Sequence, residues 1–384
     1  MKKTLAAVAV LGAFAGSALA ADVQLYGIVD EGLAYSHVDL DGAADATNKF
    51  SMNSGMQSGS RFGFKGTEDL GNGLTVGFVL ENGFTADDGA DNSTLFDREA
   101  SLFIEGGFGK LAMGKIGSIN CGTSSWAQIG VLSAFGTSNW GGYSNQIGST
   151  ASTGGVMDNT IAYQSPTFAG FTVFAQYSMG DDGDTEGVSG SENESSLDRY
   201  YAIGAKYANG PLTAYFAVDS VNYRTWAGTA PVPGADDIDD SLTVTLGGNY
   251  DFDVVQVFFG AQYFDEVKTF GSLVSNSDMH FASKIKGYGL NLSANIPVAG
   301  GKIMAGVGYV DAEAADSQTD AAFKDNEFQR YIVSAGYDYP FSKRTDAYAV
   351  ASYMQDSVDY GVAAGKEDRD PSAFTFVVGL RHKF

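Results

Sequence analysis

Hydrophobic and polar residues alternate along this chain in runs of roughly ten residues, the pattern of β-strands that present one apolar face. Near the start, Leu25, Val29 and Leu33 share one parity, whereas Gln24 and Asp30 share the other. Comparable runs cover residues 61–65, 74–84, 171–178, 255–263, 302–309 and 374–381. The pattern therefore predicts an all-β chain.

The connections between these runs alternate strictly between short and long. Short turns lie near residues 71–73, 106–109, 166–170, 208–211, 251–254, 297–301 and 339–344. Long loops lie near residues 38–59, 85–95, 117–157, 180–197, 222–238, 268–282, 313–326 and 356–371. Seven turns and eight loops join sixteen strands and put both termini at the short-turn end.

Strands that run up and down with connections sorted by length are typical of a barrel that crosses a membrane. Closure satisfies every backbone N–H and C=O group inside lipid, which an open sheet cannot do. Sixteen strands also enclose an aqueous lumen instead of a packed core. We therefore predict a 16-stranded antiparallel transmembrane β-barrel whose inward-facing polar residues line a water-filled lumen.

The third long connection, residues 117–157, contains no Asp, Glu, Lys or Arg, although the chain as a whole is strongly acidic. Loops longer than roughly 12–15 residues are usually functional or disordered. Disordered segments tend to be charged and poor in aromatic residues, whereas this one carries Trp126, Phe135, Trp140 and Tyr143. We predict that it is a long constriction loop folded inward into the lumen.

Composition agrees with such a fold and restricts the partners. Glycine supplies 50 of the 384 residues and proline only 7, which suits many tight turns between strands. The net charge of −23 argues against a nucleic-acid partner. No segment after the N-terminal region reaches the roughly 18 consecutive apolar residues that a membrane-spanning helix needs.

Residues 1–20 have the organisation of a signal peptide that is removed on export. Lys2 and Lys3 form a basic start, residues 5–14 are apolar, and a small-residue cleavage pattern ends at Ala20. The mature barrel is then predicted to cover residues 21–384. Cys121 has no partner cysteine in the chain, so we expect a small buried side chain in the loop.

Several short motifs resemble those of the general porins of Gram-negative bacteria, most closely the β-proteobacterial group. They are LYGIVD (25–30), SRFGFKG (60–66), EDLGNGL (68–74), LENGF (80–84), GGFG (106–109), DNTI (158–161) and GLRHKF (379–384). The similarity runs from the signal peptide to the last residue. It implies a homotrimer of sixteen-stranded barrels in the bacterial outer membrane, each with its third extracellular loop folded inward.

In that family, arginines on the wall that faces the constriction loop form a basic half-ring. Arg61 and Arg98 match two of them, Lys115 stands where an arginine is common, and Lys65 adds another cation on the same wall. Ala162 occupies a position where an arginine is usual, and the loop lacks the acidic residues that related porins often carry there. The resemblance thus implies a pore constriction with an incomplete basic wall.

Periodicity alone does not assign which way two of these side chains face. The parity that turns Arg98 inward also turns Leu102 inward. Lys115 likewise shares its parity with Met113. The sequence leaves both orientations open.

The resemblance also implies partners and excludes others. Phe384 matches the terminal aromatic residue that serves as the outer-membrane insertion signal, and lipid and lipopolysaccharide would surround the barrel. His37, His280 and His382 lie on separate segments without ligand spacing, so we expect no metal site, and no cofactor is implied.

These features predict a water-filled channel for passive diffusion of small hydrophilic solutes and ions. A ring of positive charge in a narrow aperture concentrates anions, whereas acidic residues at the mouth are screened beyond a Debye length of about 8 Å at physiological salt. The chain is therefore expected to prefer anions weakly at high salt and less so at low salt.

Other functions remain open at this stage. Trp126, Trp140 and Tyr143 could form an aromatic track in a solute-specific channel for sugars or organic acids, although packing of the loop against the wall is the favoured interpretation. An outer-membrane hydrolase would need a histidine beside a serine nucleophile. A structural anchor or adhesin with a plugged lumen would not conduct.

Cleavage after Ala20 can be tested directly. Protein isolated from outer membranes should lack residues 1–20 and begin at Ala21, because the small residues before this bond match the cleavage pattern. Intact-mass measurement with N-terminal sequencing checks this. Changing Ala18 and Ala20 to bulky residues should leave the precursor uncut, and a mature chain that still carries Lys2 and Lys3 would contradict the prediction.

Overall fold

A computed structural model describes most of the chain. The described residues are 23–41, 45–91, 94–138, 155–180, 198–223, 226–227, 230–231, 239–267, 284–317, 324–360 and 368–384. The predicted signal peptide, Trp140 and Tyr143 lie outside these ranges. Within them, no helix is long and apolar enough to cross a membrane.

The described chain consists almost entirely of strands. They are β1 (Gln24–Asp39), β2 (Thr47–Ser54), β3 (Arg61–Gly71), β4 (Leu74–Gly83), β5 (Glu99–Gly106), β6 (Gly109–Gly117), β7 (Val156–Gln164), β8 (Phe171–Ser178), β9 (Arg199–Asn209), β10 (Leu212–Asn222), β11 (Trp226–Ala227), β12 (Ala230–Pro231), β13 (Leu242–Asp251), β14 (Gln256–Val267), β15 (Ile285–Val298), β16 (Gly301–Ala314), β17 (Glu327–Pro340), β18 (Thr345–Asp359) and β19 (Ser372–Lys383). A single 3₁₀ turn, η1 (Ile129–Leu132), interrupts the described strands between β6 and β7.

The strands form a closed antiparallel barrel of sixteen wall positions, as predicted. Each wall strand pairs with its neighbour in sequence, and β19 returns to pair with β1 from Ile28↔Lys383 to Asp39↔Ser372. The short β11–β12 ribbon stands apart from this sheet. Both β2 and β3 pair with β1, one with each half, so they share one wall position. Seventeen strands in the sheet therefore make sixteen wall positions.

The loop predicted over residues 38–59 is wrong in part, because β2 lies within it and continues the wall. The β2 backbone pairs with β1 from Glu31↔Ser54 to Val38↔Thr47. Between β2 and β3, residues 55–60 leave the ladder. Their backbone turns into the lumen because the Asp30 carboxylate accepts hydrogen bonds from the N–H groups of Gln57 and Ser58 at 2.9 and 2.6 Å. A side chain on the neighbouring strand thus replaces the missing ladder partner.

The two faces of the wall differ as the alternation predicts. Large apolar side chains are exposed on the outer face, for example Leu33 at 45%, Ile203 at 57% and Val333 at 54%. Inward positions carry small or polar groups that bond to one another, such as Gln262 with Thr245 at 3.0 Å. An apolar exterior suits lipid, and a polar interior suits water.

Aromatic residues cluster on the outer face near both ends of the strands. At the loop end, the rings of Tyr288, Tyr309 and Tyr331 form a chain with centroid separations of 6.1 and 5.0 Å. At the turn end, Tyr339 lies 5.3 Å from Phe341. Aromatic belts of this kind mark the two membrane–water interfaces of outer-membrane barrels.

Part of the loop end is filled by packed side chains. An apolar cluster on β14–β18 includes Phe264, Ile285 and Phe328. Arg330 lies inside this end of the barrel, fully buried, and donates from Nη2 to Asp356 Oδ2 at 2.7 Å. A paired charge in such a place stabilises the local arrangement only while both partners remain.

Breaking this buried pair should weaken the barrel measurably. Arg330→Met leaves the Asp356 carboxylate buried without a cation and should cost about 3–5 kcal/mol in the free energy of unfolding. Urea unfolding of the barrel in detergent micelles measures the change. Lys286→Met is the matched control, because Lys286 pairs with Glu313 at 3.3 Å and Asp316 at 2.6 Å, whose side chains are 56% and 86% exposed, so its loss should cost no more than about 1 kcal/mol. Equal losses for both variants would contradict the prediction.

Candidate functional site

Residues 118–138, which we call the lumen segment, leave the end of β6 and run along the inner wall. The N–H of Ile119 donates to Gln176 Oε1 on β8 at 2.9 Å. The Asn120 amide donates to Asp219 on β10 at 2.8 Å and accepts from the Tyr215 hydroxyl at 2.8 Å. These contacts hold the first part of the segment inside the barrel.

The second part of the lumen segment is tied to the wall farther round. Asn249 on β13 donates to the carbonyl of Val131 at 2.9 Å. Asn291 on β15 donates to the carbonyl of Leu132 at 3.0 Å, and Ser293 Oγ accepts from the N–H of Ala134 at 3.0 Å. The segment therefore follows the inner wall from β6 to β15 and occupies that side of the lumen.

Apolar packing holds the same segment, and the inward glycines of the wall make room for it. A side-chain carbon at Gly204 would lie 2.9 Å from Ile119, and one at Gly306 would lie 3.0 Å from Phe135. Ile119, Leu132 and Phe135 are buried in one cluster with wall residues. Glycine on the lumen parity thus permits close approach of the segment.

Glu99 ties the lumen segment to the opposite side, at the start of β5. Its buried carboxylate accepts from Ser124 Oγ at 3.0 Å and from the N–H and Oγ of Ser125 at 2.8 and 3.0 Å. A further bond comes from Ser101 Oγ at 2.7 Å. Four donors stabilise the charged carboxylate without an adjacent salt bridge.

Between the lumen segment and the wall of β1 and β3–β5 lies a cavity of about 500 Å³, which we call the aperture cavity. Its wall side is lined by Tyr26, Ser58, Gly59, Arg61, Lys65, Val79, Glu81, Arg98 and Glu99. Its segment side is lined by Gly122, Thr123, Ser124, Ser125, Ile129 and Thr137. Charged groups face hydroxyl groups across this space.

Glu81 organises the charges on the wall of the aperture cavity. Arg98 Nε donates to Glu81 Oε1 at 2.8 Å, and Arg61 Nε lies 3.6 Å from Glu81 Oε2. The Tyr26 hydroxyl also donates to Glu81 Oε2, at 3.0 Å. One carboxylate therefore holds two guanidinium groups at the edge of the lumen.

Arg98 reaches the lumen because it precedes its strand. The predicted strand over residues 96–105 begins three residues later, at Glu99. Leu102 then faces outward with 55% exposure, as alternation from Glu99 requires. Arg98 lies in the preceding bend, where the Asp97 carboxylate accepts from the N–H of Gly83 at 2.6 Å. The conflict in the periodicity disappears because Arg98 does not belong to the alternating run.

Residues 55–60 complete the cavity wall beside Arg61. Besides its bonds to Asp30, this segment receives a hydrogen bond from Arg381 Nη1 to Ser58 Oγ at 2.8 Å. Arg61 Nη1 in turn donates to the carbonyl of Gly59 at 3.1 Å. The break between β2 and β3 thus supports one of the two arginines.

The structure brings together three of the four predicted basic residues. Arg61, Lys65 and Arg98 line the aperture cavity. Lys115 does not line it; its ammonium pairs with Asp158 at 2.7 Å, beside a register shift in β6. The orientation of the Lys115 side chain depends on that shift, which periodicity does not predict.

The predicted loop aromatics that the structure describes are packed against other side chains. Trp126 is 2% exposed and lies in a cluster with Phe103 and Ile116, and Phe135 is 2% exposed. A stacking track would need aromatic faces open to a solute, which these two do not present. Trp140 and Tyr143 lie outside the described residues.

Phe384 extends the closure of the barrel by main-chain bonds. Its N–H donates to the carbonyl of Gly27 at 3.0 Å, and the N–H of Gly27 donates back at 3.1 Å. This pairing places the predicted insertion signal at the turn end, beside β1.

Reasoning from sequence missed Tyr26, Glu81 and Glu99 as members of the site. Two features of the sequence could have pointed to these carboxylates. Glu81 lies at an inward-facing position of β4, and Glu99 directly follows Arg98. Their pairing with particular groups depends on the register between strands. Within the described part of the chain, no group of three or more His, Cys, Asp or Glu could hold a metal ion.

Comparison with known proteins gives consistent matches. A family model described as Gram-negative porin matches residues 6–359. An outer membrane porin protein of Bordetella pertussis is 32% identical, and outer membrane porin protein 32 of Delftia acidovorans is 30% identical, each with all of both chains covered. The solved anion-selective porin from Comamonas acidovorans is 25% identical with a TM-score of 0.66, covering 95% of this chain and all of that chain. OmpT of Vibrio cholerae, in vitro folded and in a trimer form, is 18% identical with a TM-score of 0.60 and shares the fold, covering 95% of this chain and all of that chain.

The Cys121 thiol on the lumen segment should be inert in the folded protein. It is buried, as predicted, and burial raises its pKa to about 11. Because the thiolate is the reactive form, a thiol reagent at pH 8 should label Cys121 only after the barrel has been unfolded by boiling in detergent. A Thr137→Cys variant, whose position lines the aperture cavity, is the positive control. Equally fast labelling of Cys121 in the native barrel would contradict the burial.

Proposed function

Because this chain belongs to the Gram-negative porin family, we propose that the aperture cavity is the selective constriction of its water-filled channel. The chain is an outer-membrane protein that lets small hydrophilic solutes and ions cross by passive diffusion. The proposal concerns which residues filter them and with what preference. The observation that carries it is the charge balance of the aperture cavity.

That balance is weakly positive. Three cationic side chains and two carboxylates line the cavity. The lumen segment facing them contributes no charge, because residues 117–157 contain no Asp, Glu, Lys or Arg. A small net positive charge in a narrow, partly dehydrated passage raises the local anion concentration. Glu81 compensates part of the arginine charge, so the preference is weak.

The acidic loops do not cancel this preference at high salt. The net charge of −23 is spread over the chain, with dense acidic runs at residues 181–186 and 236–240. Charges at an exposed mouth act on a passing ion only within about one Debye length, roughly 8 Å at physiological salt and less above it. We therefore expect the anion preference to decline as salt is lowered. The anion-selective porin from Comamonas acidovorans is consistent with this sign.

We infer that the active form is a homotrimer set in lipid and lipopolysaccharide, with residues 1–20 removed. A trimer form is named for the structurally similar OmpT. We also infer that the protein conducts and does not catalyse, because its relatives are named as porins. Neither His37 nor His382, the two described histidines, lies beside a serine–base arrangement: His37 Nδ1 contacts Asn48 and His382 Nδ1 contacts Thr345.

Charge removal at the aperture tests the assignment. In planar bilayers under a KCl gradient, the wild-type channel should prefer chloride at high salt. A unit charge about 5 Å from an ion is worth roughly 0.8 kcal/mol in water, with opposite sign for chloride and potassium, so it separates the two ions by about 1.6 kcal/mol. Arg61→Gln and Arg98→Gln should therefore each lower the chloride-to-potassium permeability ratio by up to about 15-fold, and by less at high salt, where the charge is screened. The reversal potential is the measurement.

Lys115→Gln is the control for this experiment, because it removes the same charge from a side chain outside the aperture cavity. Its reversal potential should stay close to that of the wild type. A cation preference of the wild-type channel at high salt would reject the proposed function. A shift for Lys115→Gln as large as that for Arg61→Gln would reject the aperture cavity as the filter.

A further inference from the structure

A second, smaller cavity adjoins the aperture cavity on its short-turn side. Its volume is about 240 Å³. It is lined by Gln24, Lys65, Gly66, Thr67, Phe78, Val79, Phe103, Lys110 and Ser125. Three of these residues also line the aperture cavity, so a solute that passes the aperture reaches this second cavity next.

Two lysine ammonium groups at this cavity contact aromatic rings instead of acids. Lys110 Nζ lies 4.0 Å from the ring centre of Phe103 and 5.1 Å from that of Trp126. Lys65 Nζ lies 5.1 Å from the ring centre of Tyr26. Within the described ranges, neither ammonium has a carboxylate oxygen within 4 Å, in contrast to Lys115, Lys284 and Lys286.

The nearby carboxylates do not neutralise them. Glu105 is the cross-strand partner of Lys110 in the β5–β6 ladder, yet no salt bridge joins them. Glu99 is occupied by four hydrogen bonds from Ser101, Ser124 and Ser125. A ring face stabilises a cation by about 0.5–2 kcal/mol, less than a charged hydrogen bond to an anion can supply.

The position of the two lysines favours a ligand with two separated charges. Lys65 is on β3 and Lys110 is on β6, with β4 and β5 between them. The ladders place Lys65 level with Val79, Ser101 and Gly114, so Lys110 lies four residues farther along β6. At about 4.8 Å between strands and about 3.3 Å per residue, the two backbones are roughly 20 Å apart. Each lysine side chain extends partway over this distance, so a single small ion meets one ammonium, whereas a short chain with an anionic group at each end can meet both.

We propose that this second cavity is a binding subsite for small dicarboxylates, with one carboxylate on Lys65 and the other on Lys110. The proposal rests on the proposed function, because the ligand arrives through the anion-preferring aperture. The apolar faces of Phe103 and Val79 would contact the methylene groups between the carboxylates, and the Thr67 hydroxyl adds a donor at the rim. The channel would then retain dicarboxylates briefly while smaller anions pass.

Conductance block by dicarboxylates tests the subsite. Potassium succinate or glutarate, added to channels that conduct KCl in planar bilayers, should reduce chloride conductance saturably. Propionate, with one carboxylate, and inorganic phosphate, with its charge on one centre, should reach half-block only at concentrations about tenfold higher. Equal potency of phosphate, propionate and succinate would overturn two-point binding.

Variants separate the subsite from general charge effects. Lys110→Gln removes a cation that lines only the second cavity and should raise the half-blocking concentration of succinate by about tenfold. Glu105→Gln should lower it, because the competing negative charge opposite Lys110 is lost. Lys343→Gln is the matched control; Lys343 is exposed in the turn after β17, at the same end of the barrel. If Lys343→Gln weakens block as much as Lys110→Gln, the subsite assignment fails.

A direct binding measurement keeps the test independent of conduction. With Trp140 and Trp226 changed to phenylalanine, emission reports on Trp126, whose ring faces the Lys110 ammonium. Succinate should change this emission saturably in detergent-solubilised barrels, and Lys110→Gln should abolish the change. If chloride preference persists while succinate neither blocks nor alters the emission, the subsite is rejected and the proposed function stands. If the wild-type channel prefers cations, the proposed function fails, and the emission titration still decides the subsite.

Discussion

Every backbone N–H and C=O group that enters a lipid layer must find a partner within the protein, and this constraint governs the molecule. The chain meets it by closing β19 onto β1, so every described wall strand except β2, which pairs only with β1, has a partner on both sides. Closure at sixteen wall positions makes the ring too wide for inward side chains to fill. The barrel therefore has an aqueous interior, and its outer face must be apolar. Both the channel and its membrane location follow from this one hydrogen-bond requirement.

A wide ring leaves the pore diameter to be set by something other than the wall. The lumen segment lies inside this ring along β6 to β15, fixed by amide side chains such as Asn249 and Asn291, and under the proposed function it sets that diameter. Its own charge is zero, so it can lie in the lumen without burying an unpaired ion. The aperture cavity lies between this segment and the side of the wall where Arg61 and Arg98 stand. The position of the aperture cavity and the charge on its wall both follow from which part of the barrel wall the lumen segment covers.

The two carboxylates on the basic wall, Glu81 and Glu99, both hold neighbouring groups in place and reduce the positive charge of the wall. Glu81 fixes the two guanidinium groups and lowers the net charge they present. Glu99 holds the lumen segment by three hydrogen bonds, from Ser124 and Ser125. Lys65 and Lys110 have no carboxylate partner within 4 Å in the described residues and contact aromatic rings instead. Under the proposed function, these lysines add to the positive charge of Arg61 and Arg98, which Glu81 partly compensates.

The sequence by itself determined the strands, their number, the alternation of turns and loops, and the uncharged third loop, because each is written in local composition and in a period of two residues. The resemblance to the porin family pointed to Arg61, Lys65 and Arg98, which line the aperture cavity. Only tertiary structure decided that β2 extends the wall, that Arg98 precedes its strand, that Lys115 pairs with Asp158, and that Glu81 and Glu99 belong to the site. These depend on register between strands distant in sequence and on single-residue irregularities, which reverse the facing of a side chain without changing its neighbours in the chain.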